Sequence, residues 1–477
     1  MKHLIKWTAL AVALIFCGAT QSAETPSSIT LEHAWRAVLE NDDLLAASRS
    51  AKARAESLAS TANNLYLPQV DLVGSYTRID SSIELDALAL NPLNSAADTV
   101  PGQLLVDLVG GPGAFSTPVT SRNITRSSIN TVWPIYTGGK ITAKQNLLEL
   151  EQTEASFLME EVRRLRFAEL VATYFGLVMS ERALTTQQQA QNALAKHLQV
   201  AKALEEQAQI SGVERLAAEA AFDRARVTTR AVKAQRDSAH NALASLTHVN
   251  YGDADPYQTQ SFLVPATPLF TLPALPPKNR LRSGLVDHPR LQVLTTKYQQ
   301  ALNIADASRG LYQPDVFLFG NYNVYENDSL ASDLSPDWLV GVGVRVALMD
   351  RSGRNGKIGA ADNTVREVES LKNAAQRQLN LLLDKHYRDA QQSLAEHRDL
   401  ASTVALAERT LRLQQRAFAE GLGRSLDVID AQTFLAGTQT RRDAAALRFV
   451  LAFTQLLTLS GEYEALFSYM LNGDDIQ

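Results

Sequence analysis

Two very long stretches of the chain carry apolar residues at steps of three and four positions. In the first stretch these residues are Leu165, Ala168, Ala172, Phe175 and Met179. In the second they are Val368, Leu371, Ala375, Leu379 and Leu382. This spacing predicts coiled-coil helices over residues 140–210 and 354–420. A shorter helix is predicted after each of them, at 213–248 and 425–460. At about 1.5 Å per residue, the longer helices reach about 100 Å and must build a rod, a bundle or a tube.

Four shorter segments are predicted to be β-strands: residues 69–78, 122–134, 315–325 and 338–348. The last alternates most clearly between apolar and small or polar residues, whereas Phe317 and Phe319 interrupt the alternation of the third. In the last segment Val340 and Val342 share one face, whereas Arg345 lies on the other. An apolar face of about ten residues with tyrosine and tryptophan near its ends is typical of a strand that crosses an outer membrane. Arg345 is then expected to face the lumen. Strands in a soluble sandwich also alternate in this way.

One twelve-residue motif occurs twice in the chain. It reads LYLPQVDLVGSY at residues 65–76 and LYQPDVFLFGNY at residues 311–322. Each half then continues with a second strand, a very long helix, a turn and another helix, so the chain is an internal two-fold repeat. We assign residues 24–248 to the first repeat and 284–461 to the second, with a tail at 462–477. A proline-rich linker is predicted at 249–283, and an insertion rich in Gly, Pro, Asn and Ser lies within 80–122.

The first 23 residues have the pattern of a secretory signal peptide, with Lys2 and Lys6 before a short apolar run. Cys17, the only cysteine, lies inside this signal. A lipid anchor on Cys17 is the alternative, although Phe16 occupies the place where a small residue is expected. Otherwise the mature chain has neither disulfides nor thiol chemistry. The net charge of -5 argues against nucleic acid as a partner.

Four strands cannot close a barrel, and an open sheet edge is not tolerated in lipid. Several chains must therefore share one barrel if these strands cross a membrane. The predicted fold combines all-α and transmembrane β parts: a trimeric twelve-stranded β-barrel, four strands per chain, continued by a long α-helical coiled-coil barrel. Each repeat supplies one strand pair and one set of helices.

The chain resembles the TolC-like outer membrane efflux and secretion channels. The residues that carry the resemblance are the repeated twelve-residue motif, PIYTGGK at 134–140, and FAEGLGRSLDVIDA at 418–431. The resemblance implies a homotrimer held in outer membrane lipid, with a helical domain in the periplasm. It also implies a periplasmic adaptor (membrane fusion) protein and an inner-membrane pump as partners. The expected role is the passive exit duct of a tripartite efflux or type I secretion system.

The turns between paired helices are predicted to be the periplasmic tips. The residues expected to contact the adaptor there are Ser211, Gly212, Gly421, Leu422 and Gly423. Gly421 and Gly423 are expected to end one helix, and Ser425 to cap the next. The resemblance also implies a periplasmic gate, formed by Asp427, Asp430, Phe418, Glu214 and Arg424. Asp427 and Asp430 lie three apart on one helix face and would ring the axis with six carboxylates in a trimer. Acids in a first helical turn also favour the helix dipole without any pore.

No catalytic constellation is recognisable in the sequence. The Gly-Gly-Lys at 138–140 lacks the glycine spacing of a phosphate loop, and the histidines are scattered without metal-ligand spacing. We therefore expect no enzyme activity, no cofactor and no metal. The competing prediction is a periplasmic coiled-coil adaptor or scaffold that does not span the membrane; a third, an exported enzyme, lacks support. Drugs, metal ions and proteins all remain open as cargo.

Overall fold

The computed structural model of the protein describes residues 28–86, 116–120, 122–248, 264–326, 336–349, 353–471 and 473–475. The predicted signal peptide, with Cys17, and most of the predicted insertion lie outside the described residues. The prediction of a mixed fold with very long helices and a small sheet is confirmed.

The first half of the chain begins with a two-residue strand, followed by two helices, four further strands and a long helical hairpin. In chain order these elements are β1 (Ser28–Ile29), α1 (Leu31–Asn41), α2 (Asp43–Ser60), β2 (Gln69–Arg78), β3 (Ile83–Asp86), β4 (Ser116–Thr120), β5 (Asn123–Tyr136), α3 (Lys140–Glu206) and α4 (Gly212–Thr247). A short 3-10 turn at Ala62–Tyr66 leads into β2.

The second half has the same order of main elements. They are β6 (Val264–Pro265), β7 (Phe270–Thr271), α5 (Lys278–Ser283), α6 (Pro289–Arg309), β8 (Asp315–Glu326), β9 (Trp338–Arg345), α7 (Arg354–Ala419), α8 (Ser425–Ser460), α9 (Leu466–Leu471) and β10 (Asp474–Asp475). Strand β9 ends at Arg345, three residues before the predicted end at 348.

The two helical hairpins match closely in length. Helices α3 and α4 have 67 and 36 residues, and helices α7 and α8 have 66 and 36. Both long helices begin at a glycine in the left-handed region, Gly139 with φ 79° and Gly353 with φ 66°. An L side chain is strained in this conformation. The strand-to-helix joint therefore explains why both halves carry a glycine just before the long helix.

The four main strands form one antiparallel sheet in the order β2-β5-β8-β9. The register pairs Leu72 with Ile129, Ile129 with Tyr322, and Tyr322 with Trp338. Because directly paired residues lie on the same face, these side chains form one row across the sheet. Within the described residues, β2 and β9 each have one edge without a strand partner.

One face of the sheet is apolar and open to the surroundings. Its strongly exposed members include Val70, Leu72, Tyr76, Tyr322, Trp338, Val340, Val342 and Val344. The opposite face mixes polar residues with Phe317 and Phe319, which the sequence pattern left unexplained. Phe319 lies over Gly341, where an added Cβ would come within 2.7 Å of the ring. The phenylalanines therefore fill the space that the β9 glycines leave, and the guanidinium of Arg345 lies 5.6 Å from the centre of the Phe317 ring.

The main hydrophobic core lies halfway along the long helices. It joins the middle of α3 to the middle of α7 and the C-terminal half of α8, through rings such as Phe167, Phe175, Phe449 and Phe453, all fully buried. Phe449 and Phe453 stack with ring centres 5.8 Å apart. Helix α8 is the one helix of the described chain that is long and apolar enough to cross a membrane, but 72% of its apolar window is buried inside the fold. It is therefore a core helix.

The interpretation of residues 249–283 as a plain linker needs correction for the part that the structure describes. Strand β6 pairs with β1, and β7 pairs with β10 from the predicted tail. Leu269, Phe270 and Leu281 are buried in the main core. The Tyr174 hydroxyl donates a hydrogen bond to the Ile29 carbonyl and accepts one from the Thr267 amide, both at 2.8 Å. Proline content alone does not reveal such pairings, because they join segments far apart in the chain.

Candidate functional site

The two hairpin turns lie at one end of the helical part and have equivalent backbones. In each, the second residue after the long helix has a left-handed conformation: Ala208 with φ 55° in the first turn and Gly421 with φ 71° in the second. Leu422 is 80% exposed and Val213 is 75% exposed. The turns therefore present apolar side chains to their surroundings, which is unusual for a helix terminus and is typical of a contact surface.

A small hydrophobic cluster holds the two hairpins together just behind these turns. It contains residues from all four helices: Leu198, Ala201 and Leu204 of α3, Ala218 of α4, Val404, Ala407, Leu411 and Phe418 of α7, and Val428 and Leu435 of α8. The first repeat therefore packs directly on the second at this level. Phe418 is 1% exposed, so within the chain this predicted gate residue is a core residue.

His197 of α3 is the polar residue at the centre of this cluster. Its Nε2 lies 2.8 Å from the Oγ of Ser425, and its ring centre lies 4.5 Å from that of Phe418. His197 is 6% exposed and Ser425 is 1% exposed. Burial lowers the pKa of His197, because the charged imidazolium loses its hydration there. The ring is therefore neutral at pH 7.

Arg424 and Asp427 form an ion pair at the start of α8. The guanidinium lies 2.9 Å from the carboxylate, which also accepts the Arg424 backbone N–H. The hydrogen bond from Arg424 lowers the pKa of Asp427. The pKa of Arg424 is raised, first by Asp427 and to a smaller extent by Glu214 and Asp430. Glu214 and Arg424 therefore act on one another through space, but the direct partner of Arg424 is Asp427.

The first turn is closed by a different ion pair. Arg215 of α4 reaches back to Glu205 of α3 at 2.7 Å and also bonds Glu219 at 2.6 Å. A Cβ on Gly212 would lie 3.0 Å from the Glu205 carboxylate, so a small residue suits this close approach. The Arg215–Glu205 pair has no local sequence signal, whereas the link from Arg215 to Glu219, four residues on, does.

The structure brings the predicted tip and gate residues to the same end of the molecule and gives several of them specific surroundings. The prediction that Ser425 caps α8 is wrong. The capping position is Arg424, and Ser425 is the first helical residue. Asp430 is exposed, one turn beyond Asp427. Arg345 lies far from these residues, in the sheet. His197 was missed, because a single histidine in an apolar repeat has no distinguishing sequence signal.

No group of three or more His, Cys, Asp or Glu side chains in the described parts of the chain is placed to hold a metal ion. At the tips, Arg215 is paired with Glu205 and Arg424 with Asp427, whereas Asp430 is exposed. The helix ends therefore present both charged and apolar side chains at their surface.

The fold is similar to several solved outer membrane channels. The outer membrane protein VceC of Vibrio cholerae superposes with a TM-score of 0.71 at 16% identity, covering 91% of this chain and 96% of that one. The CmeC outer membrane channel of Campylobacter jejuni gives 0.73 at 14% identity, covering 99% and 98%. The open MtrE outer membrane channel of Neisseria gonorrhoeae gives 0.69 at 16% identity, covering 91% and 89%.

Comparison with curated protein sequences gave no match. The sequence profile described as "Outer membrane efflux protein" matches residues 35–247 and 281–462, which is well over half of the chain. The matched ranges contain both hairpins and the four-stranded sheet. By this match, the chain belongs to the outer membrane efflux protein family.

Proposed function

We propose that the protein is the outer membrane exit duct of a tripartite efflux or type I secretion system. Three copies share a twelve-stranded barrel in the outer membrane, and their helices continue it into the periplasm. The duct is passive: it holds no cofactor, and an inner-membrane pump drives the cargo. Family membership supports the transport role. The trimer, its placement and its partners rest on the geometry that follows.

The observation that carries the proposal is the four-stranded sheet with one exposed apolar face and two open edges. Leu72 and Val340 are 71% and 73% exposed, and such a surface is unfavourable in water. In lipid the apolar face is satisfied, but the unpaired edges of β2 and β9 are not. Closing β9 of one copy against β2 of the next satisfies both. Three chains give twelve strands, which leaves a lumen.

A groove between α2 and α3 supports association of copies along the helical part. Its volume is about 850 Å³, and its walls are mostly apolar. Leu58 and Leu165 line it and are 47% and 63% exposed. A neighbouring chain of the trimer would cover these side chains. The exposed leucines and valines of the hairpin turns, by contrast, point away from the barrel and are the proposed contact with a periplasmic adaptor.

The competing scaffold function is not favoured, because the family is one of channels and the scaffold does not account for the exposed sheet face. The test is planar-bilayer conductance of the detergent-purified protein, with the oligomer mass measured on the same sample. Discrete conductance from a trimer is expected, after disruption of the tips if the duct is tightly shut. A water-soluble monomer that forms no channels, with intact or disrupted tips, would contradict the duct and favour the scaffold.

We infer that Asp430, rather than Asp427, supplies the main charge at the gate. The charge of Asp427 is offset by Arg424 at 2.9 Å, whereas the exposed Asp430 faces outward from α8. In a trimer three Asp430 carboxylates would surround the axis and attract cations. The D430N variant is expected to lower cation selectivity and cation block several-fold. The matched R424Q/D427N double variant removes both charges of a neutral ion pair and should therefore change them less. Equal effects would contradict this ranking.

A further inference from the structure

We propose that His197 positions the gate: its hydrogen bond to Ser425 is an intrachain latch that holds the start of α8, and with it Asp430, in the closed arrangement. This inference rests on the proposed duct. His197 lies outside the charged tip, in the first repeat. It acts through Ser425 and does not contact cargo.

The latch is the polar link inside an otherwise apolar cluster that joins the two hairpins. Leu198 and Leu204 of α3 and Val428 of α8 surround it. Separating the hairpins must break the bond between Nε2 and Oγ, 2.8 Å apart, and expose two atoms that are buried together. A buried donor or acceptor left without a partner is costly. The cluster therefore favours one defined arrangement of the hairpins over a range of loosely packed ones.

Ser425 connects this bond to the gate through the helix itself. It is the first residue of α8, two residues from Asp427 and five residues from Asp430. Phe418, at the end of α7, packs on the same imidazole. A single side chain from the first repeat therefore contacts both helices that meet at the second turn. Any outward rotation of that turn has to release both contacts.

The same geometry makes the latch sensitive to acid. The charged residues nearest in sequence to these contacts are Lys196 and Lys202 of α3, Glu214, Arg215 and Glu219 of α4, Arg416 and Glu420 at the end of α7, and Arg424, Asp427 and Asp430 at the start of α8. Burial lowers the pKa of His197, and a hydrogen bond with Ser425 raises it to a smaller extent. A released, hydrated imidazole has an ordinary pKa of about 6.5.

The sign of the pH effect follows from this difference. Because the latched imidazole resists protonation and the released one does not, the latched state is fully favoured above about pH 6.5. Its advantage decreases as the pH falls below that value. A trimer has three latches, so small changes in the free energy of each latched state add together. Acid therefore favours the open duct.

The experiment compares bilayer conductance of the wild type with the S425A, H197Q and H397Q variants at about pH 8 and about pH 5.5, spanning the ordinary histidine pKa. S425A removes the bond and should raise the open probability at about pH 8 by roughly tenfold to a hundredfold, since each of three bonds contributes about two- to fivefold. H197Q keeps an amide nitrogen near the place of Nε2 but cannot take up the proton. It should stay closed at both values, whereas the wild type opens in acid.

His397 is the matched control. It is also buried, its pKa is also lowered by burial, and its Nδ1 lies 3.0 Å from the Arg442 carbonyl. However, it precedes Phe418 by about 20 residues, roughly 30 Å along α7. H397Q should keep the acid response of the wild type. The latch is overturned if H197Q keeps that response, or if S425A conducts like the wild type.

The oligomer mass of each variant separates gating from folding. If S425A does not assemble into the wild-type oligomer, the pH profile of H197Q decides alone. A protein that forms no channels in any variant, with intact or disrupted tips, contradicts the duct itself. Channels whose open probability does not depend on His197 contradict only the latch.

Discussion

Arginine in place of Leu72 is expected to prevent insertion of the sheet into the membrane. Leu72 is 71% exposed, lies near the middle of β2, and belongs to the apolar face. Arginine on the lipid side of a barrel costs about 2–4 kcal/mol near the bilayer centre, and a trimer carries the change three times. The L72R variant should therefore be lost from the outer membrane fraction. The measurement is the amount of trimer that remains in membranes after a carbonate wash.

Val73 provides the matched control for Leu72. It is the next residue of the same strand, is 48% exposed, and lies on the opposite face of the sheet. If that face lines a water-filled lumen, the arginine of V73R stays hydrated and the trimer should assemble near its normal level. If L72R and V73R both abolish the membrane-bound trimer, the two faces of the sheet are not in different solvents. If both variants assemble normally, the sheet does not face lipid.

Alanine in place of Asp42 is expected to cause a large loss of folding stability. Asp42 is 2% exposed, forms a buried ion pair with Arg166, and accepts the Leu45 N–H at 2.9 Å as the cap of α2. Removing one partner of a buried pair typically costs about 3–5 kcal/mol, because the other charge stays buried. The D42A variant should unfold at a much lower denaturant concentration, measured by circular dichroism of the helices.

Glu169 tests whether burial is the cause of that loss. It is the other acidic partner of Arg166, at 2.6 Å, but its side chain is 50% exposed. The E169A variant removes a carboxylate from the same arginine and should cost less than about 1 kcal/mol, as is usual for exposed pairs. A similar loss of unfolding free energy in both variants would show that Arg166 depends on both carboxylates and not on the buried one alone.

The long helices were predictable because their signal is local and continuous. Their apolar spacing repeats over residues 165–179 and 368–382, inside segments of more than sixty residues without proline. The structure begins α3 at Lys140 and α7 at Arg354, just after a glycine in the left-handed region. The β2 segment was equally readable, since alternation over ten residues fixes both strand and face. The twelve-residue motif at 65–76 and 311–322 revealed the internal two-fold repeat.

The features that the sequence did not reveal all depend on contacts between distant segments. The partner of Arg424 could be read from either Asp427 or Glu214, and only the folded backbone decides between them. Phe317 and Phe319 looked like errors in the alternation until their pairing with the β9 glycines was known. The role of His197 requires knowing that residue 425 comes within 2.8 Å, although the two are 228 positions apart.

The pairing of the chain ends with the middle of the chain has a consequence for biogenesis. Strand β1 pairs with β6, β7 pairs with β10, and the main core extends from Ile29 to Leu466. Contacts of such high sequence separation form slowly, since long loops must close first. The core cannot be completed until nearly the whole polypeptide has been translocated. If the apolar strands face lipid as proposed, they have neither lipid nor partners during that interval, and we expect an escort to shield them before assembly.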